Sequence, residues 1–480
     1  MQCEFAAVLS LLTEERAGVS VDSRTITPGD VFVAVPGEVE DGTKYIPNAL
    51  ANGARYIVCS EEALLPDIPA DIGVCRVPRI REAVPALAEA RYHTKTNTVR
   101  LLGLTGTNGK TTCCAMLEHL FTRLGEKVGV LGTISYRWPG HVEDAPLTTP
   151  DPLRLHAMLH AMEQAGCSTC VMEVSSHALS QQRVDRLPFA GAALTNVTQD
   201  HLDFHKTMEN YFACKAKLFC ELPKREKAMA INADDSYGRR LLALCPNALA
   251  YGFAESEHRQ VVGTILQKDI HGLLLRMRYQ GKTWDLASPL LGAFNAANLL
   301  TVQALAIECG VPIEDLGLLA DFRGVCGRLE RVPAGGRHVF VDYAHTPDAL
   351  INVLHAVRDA GFRRIITVFG CGGNRDRTKR PLMGKAVAAF SDCAIVTSDN
   401  PRFEDPLAII DDIMPGLAGA KDVHVEPDRR KATKLALSLA TEPDDCVLIA
   451  GKGHEPYQII KGVRTHYSDQ EVVEECLSCS

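Results

Sequence analysis

The chain has 480 residues, 46% hydrophobic, 23% charged and 6% aromatic, a balance ordinary for globular proteins and a length that suggests about three domains. A formal net charge of -8 and a pI near 6.1 argue against a nucleic-acid-binding protein, so any anionic ligand must be held by local sites. Seventeen cysteines without CxxC pairs or metal spacing read as reduced thiols, not a secreted disulfide framework. The N-terminal "MQCEFAAVLSLLTEER" lacks the basic start of a signal peptide. The richest apolar run, "GAFNAANLLTVQALAIECG", is interrupted by Asn295, Asn298 and Gln303 and is too polar to span a bilayer. A cytoplasmic, monomeric protein with no nucleic-acid or membrane partner is expected.

Along the chain, short β-branched runs alternate with Ala/Leu-rich helical stretches. The strand candidates are "VFVAV", "YIVC", "LLGLTG", "KVGVLG", "TCVMEV", "IITVFG", "CAIVTS" and "CVLIAG". This is the βαβ pattern of an α/β protein with mainly parallel sheets. The first unit contains "VDSRTITPGDVFVA", where "PGD" reads as a turn and Ser23 follows a strand, which predicts a β-hairpin. The polar stretch "TKTNT" near residues 94–99 and "FRGVCG" near 322–327 suggest boundaries, giving domains 1–97, 98–325 and 326–480.

"VRLLGLTGTNGKTT" is the strongest signal. A strand runs into Gly106, Thr107, Asn108, Gly109, Lys110, Thr111 and Thr112, and "CCAMLEHLFTRLG" continues as a helix. Glycines let backbone N–H groups close around phosphate oxygens, the helix N-terminus adds its positive end, Lys110 reaches the outer phosphates and Thr111 can ligate Mg²⁺. Only two residues separate the glycines, and Leu104 stands where the usual P-loop has its first glycine. Glu173 ends the apolar strand of "STCVMEVSSHAL", where a carboxylate is costly without a cation. "ALTNVTQDHLDFH" brings Asn196, Asp200, His201, Asp203 and His205, and "YFACKAKLF" brings Lys215 and Lys217. By spacing alone His201 reads as a loop histidine and Lys215 as a snorkelling surface lysine. "SDNPR" by itself reads as a capped turn with a surface arginine.

The ordered set "DSRTITPGDVFVAVPG", "TGTNGKTT", "EVSSHAL", "TNVTQDHLDFH", "YFACKAKLF", "GAFNAANLL", "GRLE", "VDYAHTPDAL", "GCGGNRDRTKRPLMG", "SDNPR" and "GKGHEPYQ" spans essentially the whole chain. It resembles the Mur ligases, ATP-dependent amide-bond-forming enzymes of peptidoglycan precursor synthesis, and within them the third amino-acid-adding branch. The resemblance implies a UDP-binding N-terminal α/β domain, a central P-loop ATPase domain and a C-terminal Rossmann-like domain. It implies that Thr111, Glu173, His201 and Lys215 hold magnesium, with Lys215 as N6-carboxylysine, a carbamate whose oxygens suit Mg²⁺ where an amine does not. ATP would meet Gly106 to Thr112, with Lys110 on the phosphates, Asn295 near the adenine, and Arg328, Asp342 and His345 from the third domain. Cys326 stands where the family usually carries a proline before Gly-Arg.

The same resemblance implies UDP-N-acetylmuramoyl-L-alanyl-D-glutamate as one substrate. Ser23 and Glu38 would line its UDP end, and Thr148, Thr149, Ser175, Gln181 and Arg183 its muramoyl-peptide. An arginine in such a cleft can pair a carboxylate in bidentate fashion, although Arg183 as a surface ion-pair partner stays open. The amino acid implied is meso-2,6-diaminopimelate, whose extra amino-carboxylate end Arg402 would bind. Arg375, Asp399, Asn400, Pro401, Gly451 and Glu455 match the other acceptor positions. Separate cores imply closure of the third domain onto the second during the reaction. Two rivals are another ligase of the superfamily, lysine-adding or folylpolyglutamate-type, and a P-loop switch that makes no bond.

Overall fold

The structure is a computed structural model that describes residues 2–37, 40–221, 224–253 and 259–478. Two compact units emerge, one of residues 1–252, 256–260 and 301–315, the other of 253–255, 261–300 and 316–480. Among the described residues no helix is long and apolar enough to cross a membrane.

The first unit begins with a four-stranded sheet in the order Val19–Ser20, Val31–Val33, Tyr56–Ser60, Gly73–Val77. All its neighbours are parallel. The expected hairpin around "PGD" is therefore wrong, because Val19 pairs with Val31 in parallel register. The reason lies in Asp22 and Asp30. Asp22 accepts from the Arg24 N–H at 3.0 Å and starts a 3₁₀ turn at Ser23–Thr25. Asp30 accepts from the Gly18 and Thr27 N–H groups at 2.7 and 2.8 Å, which carries the chain back to the start of the first strand. Alternate strand residues feed two cores, as a period of two requires. Val31, Val33 and Val58 pack with Val8, Leu12 and Leu87 on one face, and Phe32 and Ile57 pack with Ile46 and Ala49 on the other.

The larger sheet of this unit runs Leu249–Gly252, Lys224–Asn232, Phe189–Leu194, Arg100–Thr105, Thr169–Glu173, Val128–Leu131, Ser135–Trp138, His141–Asp144. Neighbours are parallel as far as Val128–Leu131, and the last two strands fold back antiparallel. Its central strands are buried along almost their whole length, as strands covered on both faces are. Arg100–Thr105 lies between strands that come much later in the chain, so their following loops diverge at the carboxyl edge, the usual place for a ligand in such sheets.

"TKTNT" is pinned at Thr94, Asn97 and Thr98, although Lys95, Thr96 and Thr98 stay exposed. Thr94 Oγ1 bonds His156 Nδ1, the Asn97 amide donates to the Leu159 carbonyl at 3.0 Å, and Thr98 Oγ1 donates to Glu163 at 2.9 Å. All three partners lie on the helix Pro152–Gln164.

In the second unit, Val261–Asp269, Gly272–Tyr279 and Lys282–Ser288 form an antiparallel meander that was not among the expected strands. The C-terminal sheet runs Glu330–Val332, His338–Asp342, Asp445–Ala450, Arg364–Phe369, Cys393–Val396, Val423–Val425. Only its first pairing is antiparallel. Ile365 and Phe369 pack on one face with Leu350, Leu354, Val387 and Ile409, while Ile366 and Val368 pack on the other with Ala432, Ala436 and Val473. The α/β class and mainly parallel sheets agree with the expectation.

Candidate active site

Three loops meet at the carboxyl edge of the larger sheet, after Arg100–Thr105, Thr169–Glu173 and Phe189–Leu194. The first is the phosphate loop, and its backbone requires its glycines. Gly106 has φ +148° and Gly109 φ +88°. A Cβ on Gly106 would lie 1.9 Å from Thr195 Oγ1. The third loop braces the first: the Asn108 N–H donates to Asn196 Oδ1 at 3.0 Å, and Thr195 Oγ1 donates to the Asn108 carbonyl at 2.6 Å. Thr107 Oγ1 meets the Tyr211 hydroxyl at 3.1 Å. Lys110, Thr111 and Thr112 open the helix Lys110–Arg123, so its N-terminal N–H groups face the loop.

Glu173 is almost wholly buried at 1% exposure. Its Oε2 accepts from Thr111 Oγ1 at 3.0 Å and its Oε1 from the Thr133 N–H at 2.8 Å. A buried carboxylate beside a threonine hydroxyl is an all-oxygen donor set that suits a hard cation such as Mg²⁺. Thr133 went unnoticed in the sequence, where nothing but its place after a strand marks it.

Lys215 is not the surface lysine that spacing suggested. It is 2% exposed, and its Nζ donates to the Gly106 carbonyl at 2.9 Å while lying 4.5 Å from the centre of the Tyr211 ring. Lys110 Nζ donates to the same carbonyl at 2.9 Å. Burial, and then the neighbouring Lys110 cation, push the Lys215 ammonium well below its ordinary pKa. Lys215 is therefore biased toward the neutral amine, the nucleophilic form. His201, in left-handed backbone at φ +51°, is half-exposed beside Asp200, its Nε2 3.4 Å from Asp200 Oδ2. The His177 ring packs edge-on against it, 4.8 Å between centroids, a neighbour the sequence did not single out.

The residues expected around the muramoyl-peptide gather beside Glu173. Thr148 Oγ1 meets Thr133 Oγ1 at 3.1 Å, and Thr149 Oγ1 donates to the Glu173 carbonyl at 2.8 Å and accepts from the Ser175 N–H at 3.1 Å. Ser175 caps the helix Ser176–Ser180 through the Ala178 N–H. Arg183 donates to the Thr149 carbonyl at 3.1 Å and to Gln181 Oε1 at 3.0 Å, so it belongs to this cluster and not to a remote surface. Ser23 is buried in the first sheet's domain, its carbonyl held by Asn52 at 2.8 Å. Glu38 lies outside the described residues.

In the second unit, Asn295 and Asn298 are buried on one face of the helix Ala293–Glu308, the Asn298 amide donating to Asn295 Oδ1 at 3.2 Å. The Arg328 guanidinium sits 5.1 Å from the centre of the Tyr343 ring. Asp342 accepts from the Leu329 and Ala344 N–H groups at 2.6 and 2.7 Å, and burial raises its pKa. His345 bonds the Tyr343 carbonyl through Nδ1 at 2.8 Å. Cys326 is exposed and 3.6 Å from the Gln470 amide nitrogen.

A cavity of about 370 Å³ opens at the carboxyl edge of the C-terminal sheet. It gathers Arg375, Asp399, Asn400, Arg402, Gly451, Glu455 and His345, together with Lys379, Tyr343 and Tyr457, which sequence reasoning missed. Arg402 has φ +54°, and its Nη1 donates to the Gly373 carbonyl at 2.8 Å. Pro401 accepts from the Glu404 N–H at 3.0 Å, closing the turn. The Asn400 amide donates to Glu455 Oε2 at 2.8 Å, and Lys452, fully buried, reaches that same oxygen and Asn400 Oδ1 at 3.3 Å each. Burial lowers the Lys452 pKa. A pocket that mixes guanidinium, ammonium and carboxylate groups suits a zwitterionic ligand.

Family models match three consecutive stretches: "Mur ligase family, catalytic domain" over residues 15–92, "Mur ligase middle domain" over 104–306, and "Mur ligase, glutamate ligase domain" over 327–453. A UDP-N-acetylmuramoyl-L-alanyl-D-glutamate–2,6-diaminopimelate ligase of Lawsonia intracellularis is 48% identical, covering 98% of each chain. One of the same name from Synechococcus elongatus is 44% identical over 95% of this chain and 92% of its own. A solved structure of that name has a TM-score of 0.72 at 32% identity, covering 96% of this chain and 94% of its own. With three Mur ligase models matched in chain order and relatives 44–48% identical over nearly its whole length, this chain belongs to the Mur ligase family.

Proposed function

We propose that the chain joins meso-2,6-diaminopimelate to the D-glutamyl γ-carboxylate of UDP-N-acetylmuramoyl-L-alanyl-D-glutamate at the expense of ATP, in cytoplasmic peptidoglycan precursor synthesis. The observation that carries this reading is the acceptor cavity, with Arg375 and Arg402 on its wall and Asp399 and Glu455 opposite in charge. A diamino diacid presents both signs twice, whereas lysine lacks the second carboxylate.

The phosphate loop and Lys110 hold the ATP phosphates, and Lys110 meets charge on the γ-phosphoryl group as it passes to the γ-carboxylate oxygen. The bond broken is between the γ-phosphorus and the β,γ-bridging oxygen, and the bond made gives an acyl phosphate. The acceptor amine then attacks the acyl carbon, loses a proton and expels phosphate. Thr111 and Glu173 would hold one Mg²⁺, and His201 with carboxylated Lys215 a second; bound there, magnesium neutralises phosphate charge. Carboxylation of Lys215 finds support in its surroundings: a buried amine held toward its neutral, nucleophilic form can add CO₂, and the resulting anion would face the Lys110 cation across the Gly106 carbonyl. Thr148, Thr149, Ser175, Gln181 and Arg183 orient the muramoyl-peptide, and Ser23 and Glu38 its UDP. Asn295, Arg328, Asp342 and His345 are the candidates in the second unit for contacts to the nucleotide, with Pro401 and Gly451 shaping the acceptor wall. The division into domains 1–97, 98–325 and 326–480 and a monomeric state belong to the same reading.

The test is phosphate release from the purified chain. It should require both the UDP-muramoyl-dipeptide and diaminopimelate, and lysine should not replace the latter. Arg402→Ala should raise the KM for diaminopimelate roughly tenfold to hundredfold, the worth of a charge-assisted hydrogen-bond pair. Equal turnover with lysine would overturn the role of Arg402.

A further inference from the structure

Glu404 stands two residues beyond Arg402, and the reaction as described gives it no task. Its Oε1 accepts from Arg380 Nη2 at 2.9 Å and from the Asn374 N–H. Arg380 is wholly buried, and its Nη1 reaches Asp412 Oδ2 at 2.8 Å, an oxygen that Arg377 also binds at 2.9 Å. Asn374 returns the contact, its Oδ1 accepting from the Phe403 N–H at 3.1 Å. The Gly373 N–H donates to the Asn400 carbonyl at 2.9 Å, and Arg402 Nη1 donates to the Gly373 carbonyl at 2.8 Å. The loop at 370–375 and the turn at 399–404 are thus closed on each other like a zip.

The closure is tight and strained. A Cβ on Gly373 would lie 2.0 Å from the Pro401 carbonyl oxygen. Asn374 and Arg402 both hold left-handed backbone, at φ +53° and +54°. Such conformations persist where the surroundings support them: Glu404 ties Asn374 to the buried Arg380, and Arg402 is held in turn by the Gly373 and Ile459 carbonyls.

We propose that Glu404, held by Arg380, is the positioning residue that sets acceptor selectivity by fixing the 370–375 loop that Arg402 grips in the cavity wall before the amino acid arrives. The inference rests on the reaction proposed above. A guanidinium already held does not lose its rotamer freedom on binding, so the second carboxylate of the acceptor meets a preformed partner.

The experiment compares wild type, Glu404→Ala, Glu404→Gln and Asn374→Gly with diaminopimelate and with lysine. Glu404→Ala should raise the KM for diaminopimelate roughly tenfold or more, and shrink the preference over lysine by a similar factor, with the KM for ATP and for the UDP-muramoyl-dipeptide unchanged. Glu404→Gln keeps an oxygen for Asn374 and should restore most of the affinity. Asn374→Gly keeps the left-handed backbone, loses the link to Phe403 and should shift the same KM in the same direction. An unchanged diaminopimelate KM in Glu404→Ala, or a uniform rise in every KM with a lower melting temperature, overturns the proposal. A wild type that ignores diaminopimelate overturns the reaction itself, and with it this inference.

Discussion

Lys215 and Lys110 both donate to the Gly106 carbonyl, and burial beside the Lys110 cation disfavours a charged Lys215. If Lys215 is carboxylated as proposed, the intact protein kept in bicarbonate should carry the mass of one added CO₂, lost in Lys215→Ala. That variant should lose at least about a hundredfold in kcat, in line with losing a preorganised electrostatic group, and steady-state phosphate release measures it. The burial of Lys215 was legible, though it was read otherwise. Tyr211, Lys215, Leu218 and Phe219 fall at helical spacing, and a lysine within that stripe faces the core. Arg402 was legible only through its motif. Its grip on Gly373 comes from a loop almost thirty residues earlier, and no local pattern reveals a contact of that kind.

Elements were easiest to read where a strand is buried on both faces, as with "LLGLTG", "TCVMEV" and "CVLIAG", because a continuous apolar run admits little else. The segment at 19–33 misled because "PGD" is turn chemistry, and turn chemistry does not say whether the chain doubles back or crosses over. Two aspartate side chains made that choice. The meander over 261–288 escaped notice although its alternation is plain in "LLLRMRY". At the end of Asp445–Ala450, the strand leading to Gly451, Arg429 and Asp469 form a wholly buried bidentate pair at 2.9 and 2.8 Å, and Arg429 also donates to the Ala450 carbonyl at 3.0 Å. Asp469→Ala strands that guanidinium and should cost about 3–5 kcal/mol in urea unfolding. Arg402→Ala, in contrast, gives up a single part-buried bond to the Gly373 carbonyl and should cost about 1–2 kcal/mol.

For the whole molecule, the seam between the first sheet's domain and the larger one carries a built-in pH response. His156 is buried at 0% exposure against Thr94, and burial holds its pKa down at about 3 against 6.5 for the free side chain. Between those values the unfolded chain binds a proton that the folded chain refuses, so stability is full above about pH 6.5 and is lost as pH falls. The slope is about 1.4 kcal/mol per pH unit from this one group. Stability measured by urea unfolding from pH 7 down to about 5 should fall more steeply in wild type than in His156→Gln, which keeps only the contributions of other histidines such as the half-buried His338 and His454. The three-domain plan was visible in length and in strand-led units, but "TKTNT" as a clasp was not, since its partners lie some sixty residues later. If the zip between 370–375 and 399–404 sets the acceptor as proposed, an arginine grafted alone into a lysine-adding ligase should not confer diaminopimelate preference, whereas a chimera that carries both loops together with the helix Lys379–Phe390 should.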